Sequence, residues 1–280
     1  LFRKKKTKAK SFIKNILRWF IKTITMNFQS ILPDKSINLF VKNIWVFENK
    51  ENTQTSIPFF ADGYPGLMFQ ESNLTLSVLP HNKKMPTLFL YGQTITPITL
   101  EINSPYQIII FQFYPFVLRA FWDITPESIN DNCYFLDNSS NQSHHKLVEN
   151  LINAKSIEER IHLISNLLID YFEKKKVNLD LSIRNAIVKI ITEKGQIQIN
   201  SIAQSESLNI RTFERRFLKE TGLSAKQFSK IIQFQSSLQQ LTAKDYKKLT
   251  DIVYENGFSD QSHFIRVFKA FTGKTPKKFG

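Results

Sequence analysis

The last eighty residues of the chain carry one pattern twice, and few folds can accommodate that. Residues 202–222 read IAQSESLNIRTFERRFLKETG, and residues 252–273 read IVYENGFSDQSHFIRVFKAFTG. Counted back from Thr221-Gly222 and Thr272-Gly273, Phe213 matches Phe264, Arg215 matches Arg266 and Phe217 matches Phe268. Lys219 and Lys269 correspond after a slip of one position. The leading Ile residues lie fifty positions apart and the Phe residues fifty-one, so the second copy holds one more residue in its turn. Each copy reads as a short helix, a tight turn and a second helix with apolar anchors on one side and cations on another, a helix-turn-helix.

In the first copy, Asn209 can cap the second helix through its side-chain oxygen. Ile210, Phe213 and Phe217 then form the expected inward stripe. Arg211, Arg215 and Lys219 make an outward row at i, i+4 and i+8, with Thr212 and Glu214 beside it. In the second copy Ser259 is the expected cap, and Phe264, Phe268 and Phe271 are the expected stripe. Ser262, Arg266 and Lys269 run along the outside there, flanked by Gln261 and His263 near the helix start, where groove-reading side chains sit. The ten outward residues are the candidate DNA contacts. An Arg/Lys row alone is usually a solvated face; duplication with matched aromatic anchors makes the difference. Between the copies, Phe228, Ile231, Ile232, Gln235, Leu238 and Leu241 keep helical period, predicting one rigid helix over about residues 226–241. Ahead of them, Ile183, Ala186, Ile187, Ile190 and Ile191 predict an amphipathic helix that Gly195 stops.

The string GFSDQSHFIRVFKAFTGKTPKKF (residues 257–279) is similar to the second helix-turn-helix of the AraC/XylS family of bacterial transcription regulators, and about residues 181–279 resemble that family's DNA-binding domain. The first copy departs from the family pattern at Ser207, where a turn glycine is common. It departs again at Ala225, where Pro usually follows Gly-x-Ser, and at Gln233, where Arg is frequent. The resemblance implies promoter DNA as partner, activation through contact with RNA polymerase, and an amino-terminal domain that holds a small effector or serves as a dimerisation platform.

Charge divides the chain in the same way. Residues 177–280 carry 17 Lys/Arg against 9 Asp/Glu, net +8, as contact with phosphate demands. Residues 26–176 carry 12 against 15, net −3. Residues 1–25 carry 9 cations and no acid. Cys133 is the single cysteine, which excludes an intramolecular disulfide framework and fits a reducing cytoplasm. No run of eighteen apolar residues occurs, so no membrane span is expected.

From residue 36 to about 123, short β-rich runs (INLFVKNIWVFEN, IPFF, GLMFQ, LTLSVLP, TLFLYG, YQIIIFQFYPF) alternate with turn signals such as Asp62-Gly63 and Pro80-His81-Asn82. They predict a small barrel or sandwich, and PFFADGYPGLMF resembles the cupin-like domain of one branch of the same family. The five His residues (81, 144, 145, 162 and 263) lack the His-x-His spacing of metal-binding cupins, so no metal or cofactor is expected. After the loop at Asn138–Asn141 the chain turns helical, with Leu147, Leu151, Ile161, Ile164, Leu167, Leu168 and Phe172 at helical spacings, as a cap on the barrel or a dimer seam. Lys174-Lys175-Lys176-Val177-Asn178 is the expected interdomain linker. Residues 1–25 read as a basic amphipathic stretch, with native initiation at Met26 favoured over a membrane-surface helix or DNA arm.

The expected architecture is therefore α+β in two domains. Residues 26–176 form a β-rich cupin-like barrel with a helical cap, and residues 177–280 an all-α domain with two helix-turn-helix units. The expected function is sequence-specific regulation of transcription. A ligand-independent or architectural DNA-binding protein, whose amino-terminal domain only dimerises, is the alternative. Catalysis is not expected: Cys133 stands alone in DNCYFLD, and no Ser-His-Asp or paired carboxylate arrangement accompanies it.

Overall fold

The structure, a computed structural model, describes residues 26–72, 76–103, 105–135, 142–175 and 179–279, with only the backbone described at 134, 135 and 142–144. The basic stretch 1–25, the Asn138–Asn141 loop and the linker residues 176–178 lie outside the described residues.

Among the described residues ten antiparallel strands form two sheets. The larger has the order β1 (Asn27–Ile31), β2 (Val41–Asn49), β9 (Tyr106–Phe113), β4 (Gly66–Ser72), β7 (Leu88–Tyr91), β10 (Cys133–Phe135). The smaller has the order β3 (Thr55–Phe59), β8 (Ile98–Ile102), β5 (Ser77–Leu79), β6 (Lys83–Lys84). No ladder among the described residues joins the two, so of the expected barrel or sandwich the structure forms an open two-sheet sandwich, not a closed barrel. Strand β9 shows why. Its apolar residues send Ile108 and Ile110 into the layer between the sheets and Ile109, Phe111 and Phe113 out of the opposite face. A strand apolar on both faces needs two covering layers. The smaller sheet supplies one, and helices with the carboxyl-terminal domain supply the other.

Helix α1 (Val117–Trp122) and a 3₁₀ turn (Pro126–Ile129) follow β9, where the residue pattern had suggested strand through Phe116. Helices α2 (Gln142–Asn153) and α3 (Ile157–Lys174) match the expected helical segment. They cover the larger sheet with Leu151, Ile164 and Leu168, while Phe172 packs on Phe40 and Phe121 with ring centroids 4.3 and 4.4 Å away.

The carboxyl-terminal part is all helical: α4 (Leu181–Thr192), α5 (Ile199–Ser205), α6 (Ile210–Thr221), α7 (Ala225–Ala243), α8 (Leu249–Glu255), α9 (Gln261–Thr272) and α10 (Pro276–Phe279). Helices α5–α6 and α8–α9 are the two repeated units, and α7 joins them. Its nineteen residues span roughly 28 Å at 1.5 Å per residue. Gly195 ends the α4 segment at φ +74°, and a Cβ there would lie 2.2 Å from Ser229 O, so α4 can lie against α7 only with glycine at this point.

The two units bury their aromatic anchors differently. Phe234, Leu238, Ile252, Phe264 and Phe268 give the second unit a separate cluster, which Phe60 of the sandwich meets at Phe279 with ring centroids 5.6 Å apart. Phe213, Phe217 and Phe228 of the first unit belong instead to one cluster that runs without a break into the sandwich, through Ala61, Tyr64, Phe116 and Val117.

Candidate nucleic-acid interface

The repeat in sequence is a repeat in hydrogen bonds. In α6, Thr221 Oγ1 donates to Phe217 O (2.8 Å) and accepts from Leu223 N (3.2 Å), and Gly222 closes the helix at φ +74°. In α9, Thr272 Oγ1 donates to Phe268 O (2.7 Å) and accepts from Lys274 N (3.1 Å), and Gly273 closes the helix at φ +73°. The Thr-Gly pair therefore recurs because both helices end in the same left-handed cap. The inner turns agree too: Leu208 N donates to Ala203 O and Phe258 N to Val253 O, both at 2.9 Å. Gly257 has φ +70° there, and Ser207, its counterpart, adopts φ +57° and bears the side-chain penalty that glycine avoids.

The helix starts differ by the one inserted residue. Asn209 caps α6, accepting from Thr212 N at 2.8 Å, as expected. Asp260, not Ser259, caps α9, accepting from His263 N at 2.7 Å. Position 260 is the fifty-one-residue equivalent of 209, and Ser259 Oγ donates to the Asp260 carboxylate instead (3.1 Å). The capping N–H groups, chiefly that of His263, hold the Asp260 carboxyl below its usual range.

Arg211, Arg215 and Lys219 are exposed along α6, and Gln261, Ser262, Arg266 and Lys269 along α9. None of these cations is in an ion pair among the described residues; Glu220 pairs with Arg119 (3.3 Å) and Asp180 with Arg216. Ser262, Arg266 and Lys269 line one shallow surface groove together with Ile265 and Ala270. Three candidates are partly engaged. Thr212 is half-buried. Glu214 is half-buried and its carboxylate accepts from Ala225 N (3.4 Å), an N–H that a proline at 225 would lack. His263 is half-buried, its ring 5.6 Å from that of Phe258 and its Nδ1 3.1 Å from Ser259 Oγ. Of the expected inward stripes, Phe213, Phe217, Phe264 and Phe268 are fully buried, whereas Ile210 is 43 % exposed and Val267 takes much of the role given to Phe271.

Nothing in the residue pattern singled out Arg216. Its guanidinium takes both oxygens of Asp180 (2.7 and 2.5 Å), and Asp180 also caps α4 by accepting from Ile183 N (3.2 Å). This pair fixes the first recognition helix against the opening helix. Gln233 donates to Asn256 O (2.7 Å) and Gln196 to Glu255 O (2.9 Å), tying the middle of α7 and the α4–α5 turn to the end of α8. The second unit is thus braced both on α7 and on the turn that leads into the first unit.

The sandwich grips the far end of the first recognition helix. Gln93 Nε2 donates to Thr221 O, and Asn130 Nδ2 donates to Gly222 O at 2.9 Å. A Cβ on Gly222 would lie 2.6 Å from Glu127 N and 2.7 Å from Pro126 C. Glu220, partly buried in this contact, has its carboxyl raised by that burial, against the lowering effect of Arg119. Further along, Phe228 meets Tyr64 at a ring distance of 6.4 Å, and Gln235 donates to Ala61 O. The cations of α6 stay outside all of these contacts.

Two helix-turn-helix units, closed by identical caps and carrying exposed cationic rows, define a tandem helix-turn-helix domain. Residues 202–280 match the family described as Helix-turn-helix domain, and residues 29–135 match a family described as Domain of unknown function (DUF6597). Residues 202–280 therefore carry a helix-turn-helix domain of the AraC type. It is 28 % identical over 131 residues to the HTH-type transcriptional activator RhaS of Escherichia coli (strain SE11), covering 47 % of this chain and 38 % of that protein. It is 32 % identical over 98 residues to the Msm operon regulatory protein of Streptococcus mutans, covering 34 % of each. The chain thus matches well under half the length of these relatives. The solved structure of ToxT from Vibrio cholerae aligns with 90 % of this chain and 97 % of that one at 13 % identity and a TM-score of 0.47.

Among the described residues no three His, Cys, Asp or Glu side chains gather as a metal site, and no helix is long and apolar enough to cross a membrane.

Proposed function

We propose that the chain is a sequence-specific, DNA-binding transcription regulator that acts as an activator, with an amino-terminal domain that senses a small ligand. The observation that carries this reading is the pair of exposed rows, Arg211–Arg215–Lys219 and Gln261–Ser262–Arg266–Lys269, held on two units braced by α7, Gln233 and Gln196. Arg266 and Arg211 read base edges, Lys219 and Lys269 hold phosphate, and Thr212, Glu214, Arg215, Ser262, Gln261 and His263 complete the two surfaces. Because the rows differ, each unit reads a different element, and one protomer covers an asymmetric site. Promoter DNA and RNA polymerase are the proposed partners, the cytoplasm the proposed place, and residues 26–176 the proposed effector and dimerisation domain. Selection of bound duplexes from a random-sequence library tests the reading. A defined motif of two elements is expected; enrichment without sequence preference favours the architectural alternative and overturns it.

A further inference from the structure

Between the two sheets lies a cavity of about 380 Å³, at the small end of the usual range for small-molecule pockets. Its body is apolar, built from side chains such as Met68, Phe89 and Leu100. One end is polar, with Lys83 and His81 on the smaller sheet's last hairpin and Thr94, Asn130 and Asn132 on the wall opposite. Lys83 Nζ reaches across to Asn132 Oδ1 at 2.8 Å. Asp131 also lines this end, but its carboxylate accepts from Ile95 N (2.6 Å), Thr96 N (3.0 Å) and Thr96 Oγ1 (2.9 Å), so it serves as a clip between two segments.

Those two segments, 92–96 and 129–133, are locked together. Gly92 N donates to Asn132 O (3.0 Å), Asp131 N donates to Gln93 O (2.9 Å), and a Cβ on Gly92 would lie 1.8 Å from Ile129 O. On one side they wall the cavity. They also carry Gln93, which does not line the cavity, and Asn130, which does; these two amides hold the carbonyls of Thr221 and Gly222 at the end of the first recognition helix. Both amides leave their own oxygens, Gln93 Oε1 and Asn130 Oδ1, buried without a hydrogen-bond partner. Buried orphan acceptors are unfavourable, so this grip is poised to rearrange when the wall moves.

We infer that the cavity binds a compact, largely apolar molecule with one hydrogen-bond-accepting end beside Lys83, and that its occupancy is transmitted to α6 through Gln93 and Asn130. This rests on the reading of the amino-terminal domain as a ligand sensor. A molecule seated in the cavity bears on residues 92–96 and 129–133 directly, and any shift of that wall alters the hold on Thr221 and Gly222. The first unit has no core separate from the sandwich, and both gripped carbonyls close its recognition helix, so it feels the shift first.

The full chain should be titrated with three probes sharing one phenyl body: 3-phenylpropionate, 4-phenyl-2-butanone and butylbenzene. The two probes with acceptor ends should bind more tightly than the hydrocarbon. Lys83→Met should erase the carboxylate's advantage over the ketone if the ligand is an anion, and should weaken both alike if the acceptor is neutral. Leu100→Trp, and the milder Val78→Phe should the first disturb folding, should abolish binding of all three. Bound probe should change affinity for the selected DNA by about fivefold or more, in the range of ordinary allosteric couplings. Gln93→Ala, at a side chain that does not line the cavity, should still bind probe while that change shrinks. If no probe binds, or the filling variants bind as well as the parent, the cavity is not the ligand site. If probe binds and DNA affinity changes equally in Gln93→Ala, the sensor reading stands and the proposed route is wrong.

Discussion

Gly222 and Gly273 offer a matched pair for measuring how firmly the sandwich holds the first unit. They occupy the same position in the two repeats, at φ +74° and +73°, each closing a helix after a back-bonded threonine. Alanine in this left-handed conformation costs about 1–2 kcal/mol. A reduction of unfolded-chain entropy offsets about 0.4–1 kcal/mol of it. Gly273→Ala meets nothing within 4 Å and should therefore cost about 1 kcal/mol. Gly222→Ala carries the same backbone cost and also drives its Cβ to 2.6 and 2.7 Å from main-chain atoms of Glu127 and Pro126. Main chain cannot rotate aside as a side chain can, so the 126–130 segment must retreat by several tenths of an ångström. That loosens the bonds from Gln93 and Asn130, each worth about 0.5–1.5 kcal/mol. The total for Gly222→Ala should be about 2–4 kcal/mol. Urea unfolding of the full chain would show the difference as a lower midpoint for Gly222→Ala. In an isolated fragment of residues 179–280, which lacks the sandwich, the two substitutions should cost the same. Equal costs in the full chain would refute the interdomain packing described here.

Arg266→Ala should lose about 1–3 kcal/mol on the selected site and relax preference at one position, measured by anisotropy on single-base variants; equal losses on specific and random duplexes would remove its base-reading role. Lys269→Ala should weaken all sequences alike and flatten the salt dependence by about one unit of slope. Residues 179–280 alone should bind DNA and residues 26–175 should not, as a gel shift would show, although separation exposes the apolar surfaces of Tyr64 and Phe228 to water. Lys42, which lies 3.3 Å over the Tyr64 ring, has its ammonium lowered to about 7 by burial, with Asp62 acting in the opposite direction. The unfolded chain then holds this proton where the folded one does not, so stability should rise with pH from about 7 towards the unfolded value of 10.5. Lys42→Met should remove that rise; the same pH slope in both proteins would show that Lys42 is not its source.

The carboxyl-terminal part was legible in sequence because its signals are local. Phe213/Phe264 and Phe217/Phe268 lie at helical spacing, the Thr-Gly caps are adjacent residues, and the α7 period spans consecutive turns. The cap of α9 was misassigned because Ser259 and Asp260 are both good capping residues, and only the inserted turn residue decides between them. In the amino-terminal part, strands marked by longer apolar runs were found, whereas β1, β6, β8 and β10 were missed because runs of two to five residues are too short to show an alternation of their own. Sheet closure was likewise out of reach, since it depends on which strands end without neighbours. Least legible was the grip on α6. Gln93, Asn130 and Gly222 are separated by up to 129 positions in the chain, and no local pattern distinguishes an amide that bonds a distant carbonyl from one that faces water.

The central claim is that both units read DNA together from one braced support. It is tested most directly by inserting five base pairs between the two elements of the selected site and measuring affinity. Half a helical turn carries one element to the far side of the duplex, while the two recognition helices are expected to enter successive major grooves roughly 34 Å apart on a single face. The account predicts that specific binding is lost with five added base pairs and largely recovered with ten, if the bracing by α7, Gln233 and Gln196 can stretch to it, or lost again if it cannot. Affinity unchanged by the five-base-pair insertion would mean that only one unit reads DNA.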